Sequence, residues 1–158
     1  MCIRDRHIDE NFLPVLADIL TNNSQFEVTI ANGSNELKPG KILLAPLKGK
    51  IVILQDGSML VDHSQKWSAP YSPCIDDVIE SVSNVYGHLA GTIIFSGMGE
   101  DGLNGTKKMR QAGGQVWAQS VDTCANASMP EAIINNELAD FVGSPEQLAE
   151  QLISVLNS

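Results

Sequence analysis

The stretch from Gly91 to Gly113, GTIIFSGMGEDGLNGTKKMRQAG, constrains the fold more than any other. It opens with a short apolar, largely β-branched run, Thr92-Ile93-Ile94-Phe95, the pattern of a strand covered on both faces. It closes with Leu103, Met109 and Ala112 at roughly helical spacing among Lys107, Lys108 and Arg110. Between them, Ser96 to Gly102 interleaves three glycines with Met98, Glu100 and Asp101. A strand, a tight glycine turn and a helix form half of a βαβ unit, so the chain around it must alternate strand and helix. In such folds functional groups gather beyond the carboxyl ends of the strands, where this turn lies. Its carboxylates are unsuited to cradling phosphate, which favours donors and positive charge.

The rest of the chain fits that frame. Phe12, Val15, Leu16, Ile19 and Leu20 recur at helical spacing, with Pro14 in the first turn. Gln25–Ala31 alternates as a strand. Lys41–Pro46 and Lys50–Leu54 are apolar runs joined by Leu47-Lys48-Gly49, which predicts an antiparallel hairpin, and Met59–Asp62 extends it into a small meander. Gln65–Pro73 is an aromatic-containing loop. Pro73–Leu89 predicts a helix with Asp76 and Asp77 in its first turn. After the central unit come a strand at Gln115–Ser120, a helix from Met129, a short strand at Ala139–Val142 and a final helix opened by Ser144-Pro145-Glu146. The expected fold class is α/β: a three-layer, mainly parallel, doubly wound (Rossmann-like) sheet, with helices on both faces and an antiparallel meander near residues 41–62.

Composition narrows the function. The 158 residues suit one domain, with 43% hydrophobic and 18% charged content. A net charge of −9 disfavours nucleic acid or anionic membrane as the main partner. No apolar run approaches the roughly 18 residues of a membrane span. Cys2, Cys74 and Cys124 form no CxxC pair and support neither a disulfide framework nor a zinc site, which points to a reducing, cytoplasmic setting. Glu100 and Asp101 lack a third carboxylate, so no metal is expected, and no cofactor is expected either. Met1–Arg6 reads as a non-native leader, with residues 7–158 as the C-terminal portion of a single domain.

Two residues stand out chemically. His7 precedes the first helix where a strand-to-helix loop would place it, and Asp101 ends the central strand's turn. A histidine and a carboxylate are two members of a nucleophile–base–orienter set. Read alone, His7 beside Asp9 is more often a surface or terminal histidine than a catalyst, and Asp101 suits the N-cap of the helix it precedes equally well. Ser96 lacks the flanking glycines of a nucleophile elbow. Cys124 reads as an inert thiol.

Four motifs at matched spacing resemble the catalytic domain of the chemotaxis protein-glutamate methylesterases. They are Gly97–Gly102 (G-M-G-x-D-G), the Ala112-Gly113-Gly114 helix end, the Ala118-Gln119 strand and the Met129-Pro130 helix start. The resemblance extends to His7–Phe12, to Leu37–Pro46 (LKPGKILLAP) and to Ser72–Asp76, where Cys74 replaces a family serine. It implies hydrolysis of glutamyl methyl esters on the cytoplasmic helices of chemoreceptors, often with deamidation of receptor glutamines. It implies His7 as general base, Asp101 as the carboxylate that orients it, and the turn around Gly97, Met98 and Gly99 as backbone donors to the oxyanion. The family's nucleophilic serine lies upstream of the histidine, and a receiver domain, where one exists, lies further upstream. No residue of this chain matches that serine, so the chain is expected to be a truncated domain without esterase activity of its own. The alternative expectation is a non-catalytic α/β ligand- or partner-binding module.

Overall fold

In the computed structural model, residues 12–156 are described. His7 and the six residues before it lie outside the described residues. Helix α1 (Phe12–Asn22) leads into β1 (Glu27–Ile30), followed by β2 (Ser34–Asn35), β3 (Lys41–Leu44), β4 (Lys50–Ile53) and β5 (Met59–Asp62). Then come α2 (Ile75–Tyr86), β6 (Gly91–Ile94), α3 (Leu103–Gln111), β7 (Gln115–Gln119), α4 (Ser128–Asn135), β8 (Phe141–Gly143) and α5 (Pro145–Leu156).

Among the described residues the strands form three sheets. Strands β6, β7 and β8 run parallel in that order, with Ile94 beside Ala118 and Trp117 beside Phe141. Their side chains alternate faces. Ile94, Val116 and Ala118 point into a core completed by Ile79 of α2, Met109 of α3 and Met129 and Ile133 of α4. Ile93 and Trp117 point the opposite way, toward Leu152 and Val155 of α5. Helices therefore cover both faces, as an α/β layering requires.

The second parallel pair corrects the expected hairpin. Strand β3 pairs in parallel with β1, Glu27 to Lys41 through Ile30 to Leu44, and not with β4. The small antiparallel sheet is instead β2-β5-β4, with Ile51 opposite Val61. The burial patterns give the reason. Every residue of β3 is half-buried, as in a strand covered on both sides, whereas β4 alternates strictly between buried and half-buried. Gly49 at φ +86° lets the chain leave β3 without folding back onto it.

Helix α2 joins the antiparallel sheet to the parallel one. Val78, Val82, Val85 and Tyr86 pack beside a core of Ile51, Ile53, Met59, Val61 and Trp67, while Ile79 belongs to the core under β6 and β7. Two polar pins fix it: Ile53 donates its N–H to Ser81 Oγ at 2.7 Å, and the Tyr86 hydroxyl donates to the Gly57 carbonyl at 3.0 Å.

Among the described residues no ladder joins the β1-β3 pair to the β6-β7-β8 sheet, and β6 is hydrogen-bonded on one side only. Unpaired parallel edges are templates for association. The isolated 158-residue chain should therefore aggregate on heating or melt at or below about 60 °C, the upper range of ordinary mesophilic domains. Calorimetry that found a sharp, reversible transition well above that temperature would contradict the expectation.

Candidate functional site

Beyond the carboxyl end of β6, the chain makes its glycine turn and reaches Asp101, which is only 2% exposed. A buried carboxylate requires donors. They come from the N-terminus of α2, not from the helix that Asp101 precedes. Ile75 donates its N–H to Asp101 Oδ2 at 2.9 Å, Asp76 donates its N–H to Oδ1 at 3.0 Å, and the Cys74 thiol lies 3.5 Å from Oδ1. Cys74 holds the N-cap position of α2 without a side-chain cap bond of its own, so Asp101 performs the capping from a distance.

The exchange is reciprocal. Asp76 Oδ1 accepts the N–H of Gly105 in the first turn of α3 at 2.7 Å. Each helix is capped by a carboxylate belonging to the other's entry. The close approach requires Gly105, where a Cβ would come within 2.8 Å of Ile79 Cβ and 3.1 Å of Asp76 Cα. Gly102, at φ +100°, turns the chain from Asp101 into α3. Expecting Asp101 to cap its own helix thus identifies the right chemistry on the wrong partner.

The Cys74 thiol is raised to about 11. Burial is the main cause, and the charges of Asp101 and Asp77 add to it. At neutral pH it is an S–H donor rather than a nucleophile. Cys124 is also raised, by burial and then by Asp122. Neither thiol is activated.

The turn itself is clamped from its far side. Ser96 donates its N–H to Gln119 Oε1 at 2.9 Å, and the buried Gln119 amide donates onward to the Thr123 carbonyl and Oγ1 at 2.9 and 3.1 Å. Ser96 Oγ donates to the Asn126 carbonyl at 3.1 Å and accepts the Asn126 N–H at 3.0 Å, which engages it fully as a structural bridge. Gly97 donates its N–H to the Asn126 carbonyl at 2.9 Å and accepts the Met129 N–H at 3.1 Å. A Cβ at Gly97 would press on the Met129 side chain at Sδ, which would have to shift to admit it.

The expected donor group is narrowed by this arrangement. The Gly97 N–H is committed to Asn126, leaving the turn's tip, Met98 and Gly99, as the segment that faces outward. Met98 is 68% exposed, and Gly99 takes φ +90°. Sequence reasoning placed Ala118-Gln119 only as a motif. The only sequence signal was a glutamine directly after the apolar run Val116-Trp117-Ala118; the structure shows it buried with its amide satisfied.

Next to Asp101, a cavity of about 470 Å³ is bordered by Tyr71, Cys74, Asp76, Asp77, Glu80 and Glu100. Among the described residues no group of three His, Cys, Asp or Glu side chains is arranged to hold a metal ion. Asp77 tethers the loop over this cavity: it accepts the Ser68 N–H and hydroxyl, both at 2.8 Å, and lies 3.1 Å from Lys50 Nζ. Burial pushes the Asp77 carboxyl up, but the two Ser68 donors and the Lys50 ammonium outweigh it and hold the group below its ordinary 3.8. With the folded pKa below the unfolded one, this tether stabilises fully above about pH 3.8 and is lost as pH falls through the folded value. Acid unfolding followed by circular dichroism should therefore be less steep below that pH in Asp77→Asn than in the parent. For the cap, Asp101→Ala should cost about 1–2 kcal/mol in urea unfolding.

Set against known proteins, the chain matches the CheB methylesterase family over residues 5–152. It is 36% identical over 152 residues to protein-glutamate methylesterase/protein-glutamine glutaminase 3 of Pseudomonas aeruginosa, covering 96% of this chain and 45% of that protein. It is 34% identical over 131 residues to protein-glutamate methylesterase/protein-glutamine glutaminase 1 of Myxococcus xanthus, covering 81% of this chain and 38% of that protein. The chain thus spans less than half the length of these curated relatives. Its fold superposes on the crystal structure of the Thermotoga maritima CheB methylesterase catalytic domain with a TM-score of 0.86 at 30% identity, covering 94% of this chain and 80% of that one.

Proposed function

The chain belongs to the CheB methylesterase family, and on that premise we propose that it supplies the base-orienting and oxyanion-facing part of a protein-glutamate methylesterase site. The observation that carries the proposal is the buried Asp101 carboxylate, fixed by the N-terminus of α2 beside an outward-facing glycine turn.

His7 is the general base in this reading, and Asp101 orients it. A carboxylate offers about four acceptor positions. The Ile75 and Asp76 amides hold it in place, and an imidazole N–H is a donor of the same kind. Such a partner holds the imidazole in the tautomer that accepts a hydroxyl proton. The nucleophilic serine is contributed by a segment outside these 158 residues. Its hydroxyl attacks the ester carbonyl, its proton passes to His7, and the carbonyl oxygen becomes an oxyanion. Backbone N–H groups at the tip of the turn, Met98 foremost, stabilise that charge, with Gly97 acting as their anchor. Return of the proton to the leaving methoxide releases methanol, and water then hydrolyses the acyl-enzyme to free glutamate. The substrate is a methylated chemoreceptor helix. The same chemistry on a glutamine side chain releases ammonia. A receiver domain in the complete protein is a further proposed partner. Residues 7–158 are proposed as part of one catalytic domain. Among the described residues no helix is long and apolar enough to cross a membrane.

Methanol release from a methylated receptor fragment tests this in the full-length protein. Asp101→Asn should lower kcat by about 10⁴-fold, and His7→Ala should lower it comparably. Gln119→Met, which removes the brace under Ser96, should lower kcat by about 10- to 100-fold with little change in KM. The 158-residue chain alone should release no methanol. Full activity in His7→Ala would refute the assignment.

A further inference from the structure

The chain holds five methionines. Met1 lies outside the described residues, and three of the others are core side chains: Met59 is 3% exposed, and Met109 and Met129 are each 1% exposed. Met98 is the opposite case, 68% exposed at the tip of the glycine turn. Among the described residues the same side-chain chemistry is sealed at three positions and offered to solvent at one. That one thioether is within reach of small solutes, and it belongs to the residue whose backbone faces the site.

A thioether is soft and polarisable, and its sulfur is oxidised without first losing a proton. A thiol reacts chiefly as thiolate. Cys74 is buried, and burial holds its thiol and that of Cys124 above the ordinary cysteine value, so neither competes well for an oxidant. The turn around Met98 is fixed on both sides. Before it, Gly97 donates its N–H to the Asn126 carbonyl at 2.9 Å and accepts the Met129 N–H at 3.1 Å. After it, Gly99 takes φ +90°, and Leu103 donates its N–H to the Glu100 carbonyl at 3.1 Å. A change in the Met98 side chain is therefore felt at the tip itself.

We propose that Met98 is an oxidative modification site, taking one oxygen atom from a peroxide and thereby weakening the oxyanion-facing turn. The catalytic consequence rests on the esterase reading above; the modification site does not. In the step, a lone pair on Met98 Sδ attacks one peroxide oxygen. The S–O bond forms as the O–O bond breaks, the remaining proton passes to the departing hydroxide, and water leaves. Sulfur gives up two electrons and the peroxide takes them. The product, methionine sulfoxide, is polar and chiral where the thioether was apolar. Its oxygen accepts hydrogen bonds, so it competes with the developing oxyanion for the backbone donors of the tip, and the negative end of its dipole opposes that charge. A thiol-dependent reductase reverses the step, two thiols becoming a disulfide as the oxygen leaves as water.

The test treats the full-length protein with graded hydrogen peroxide, follows oxygen uptake by peptide mass spectrometry and measures methanol release. Met98 should gain its oxygen at doses that leave Met59, Met109 and Met129 unchanged. In step with that gain, kcat should fall by about 10- to 100-fold with little change in KM, the scale of a weakened oxyanion donor. Dithiothreitol alone, which reverses thiol oxidation, should restore nothing. Dithiothreitol with the two methionine sulfoxide reductases, one for each epimer, should restore the activity. Met98→Leu, measured against its own untreated activity, should lose none of it at the same dose. Oxidation of the buried methionines as fast as Met98, full activity in protein carrying the Met98 sulfoxide, or an equal loss in Met98→Leu would overturn the proposal. If the untreated protein releases no methanol, the esterase reading falls, and the order of oxygen uptake alone decides the modification site.

Discussion

The structure depends on two carboxylates exchanged between two helix entries. Asp101 satisfies the first amides of α2, and Asp76 satisfies an amide in the first turn of α3. Helix N-termini present several unpaired N–H groups, and burying them without partners is costly. Here two buried ends answer each other, at an approach that only glycine at 105 allows. The same exchange places Asp101 at the head of the turn with its oxygens fixed. Stability and site geometry therefore rest on one set of hydrogen bonds.

The two sides of the turn are governed differently. On one side, α2 holds the carboxylate. On the other, Ser96 and Gly97 are tied to Asn126 and Gln119, so the backbone before Met98 has little freedom. The exposed tip between these anchors is short, with Met98 68% exposed. The glycines are needed for different reasons: Gly97 for contact with Met129, and Gly99 and Gly102 for positive φ.

Much of this was legible in the sequence because the central unit is strongly patterned. The apolar run before Ser96, the helical spacing through Met109 and the Gly113-Gly114 stop each read correctly, as did the final helix behind Ser144-Pro145. The pairing of Lys41–Leu44 did not. A short apolar run next to a glycine looks like one arm of a hairpin, and only its burial on both faces shows that it belongs with Glu27–Ile30. The partner of Asp101 was equally hidden, because capping between helices 25 residues apart leaves no local signature. The bracing role of Gln119 was visible only as a polar residue directly after an apolar run.

Helix α2 bears on two sheets at once. Its face packs against the antiparallel sheet and is pinned there by Ser81 and Tyr86, while its first turn grips Asp101. A rigid helix transmits axial displacement along its whole length. The small sheet is thus mechanically in series with the carboxylate: a load that slides it along α2 is delivered to Asp101 as a change of position, with no side chain in between needing to rearrange.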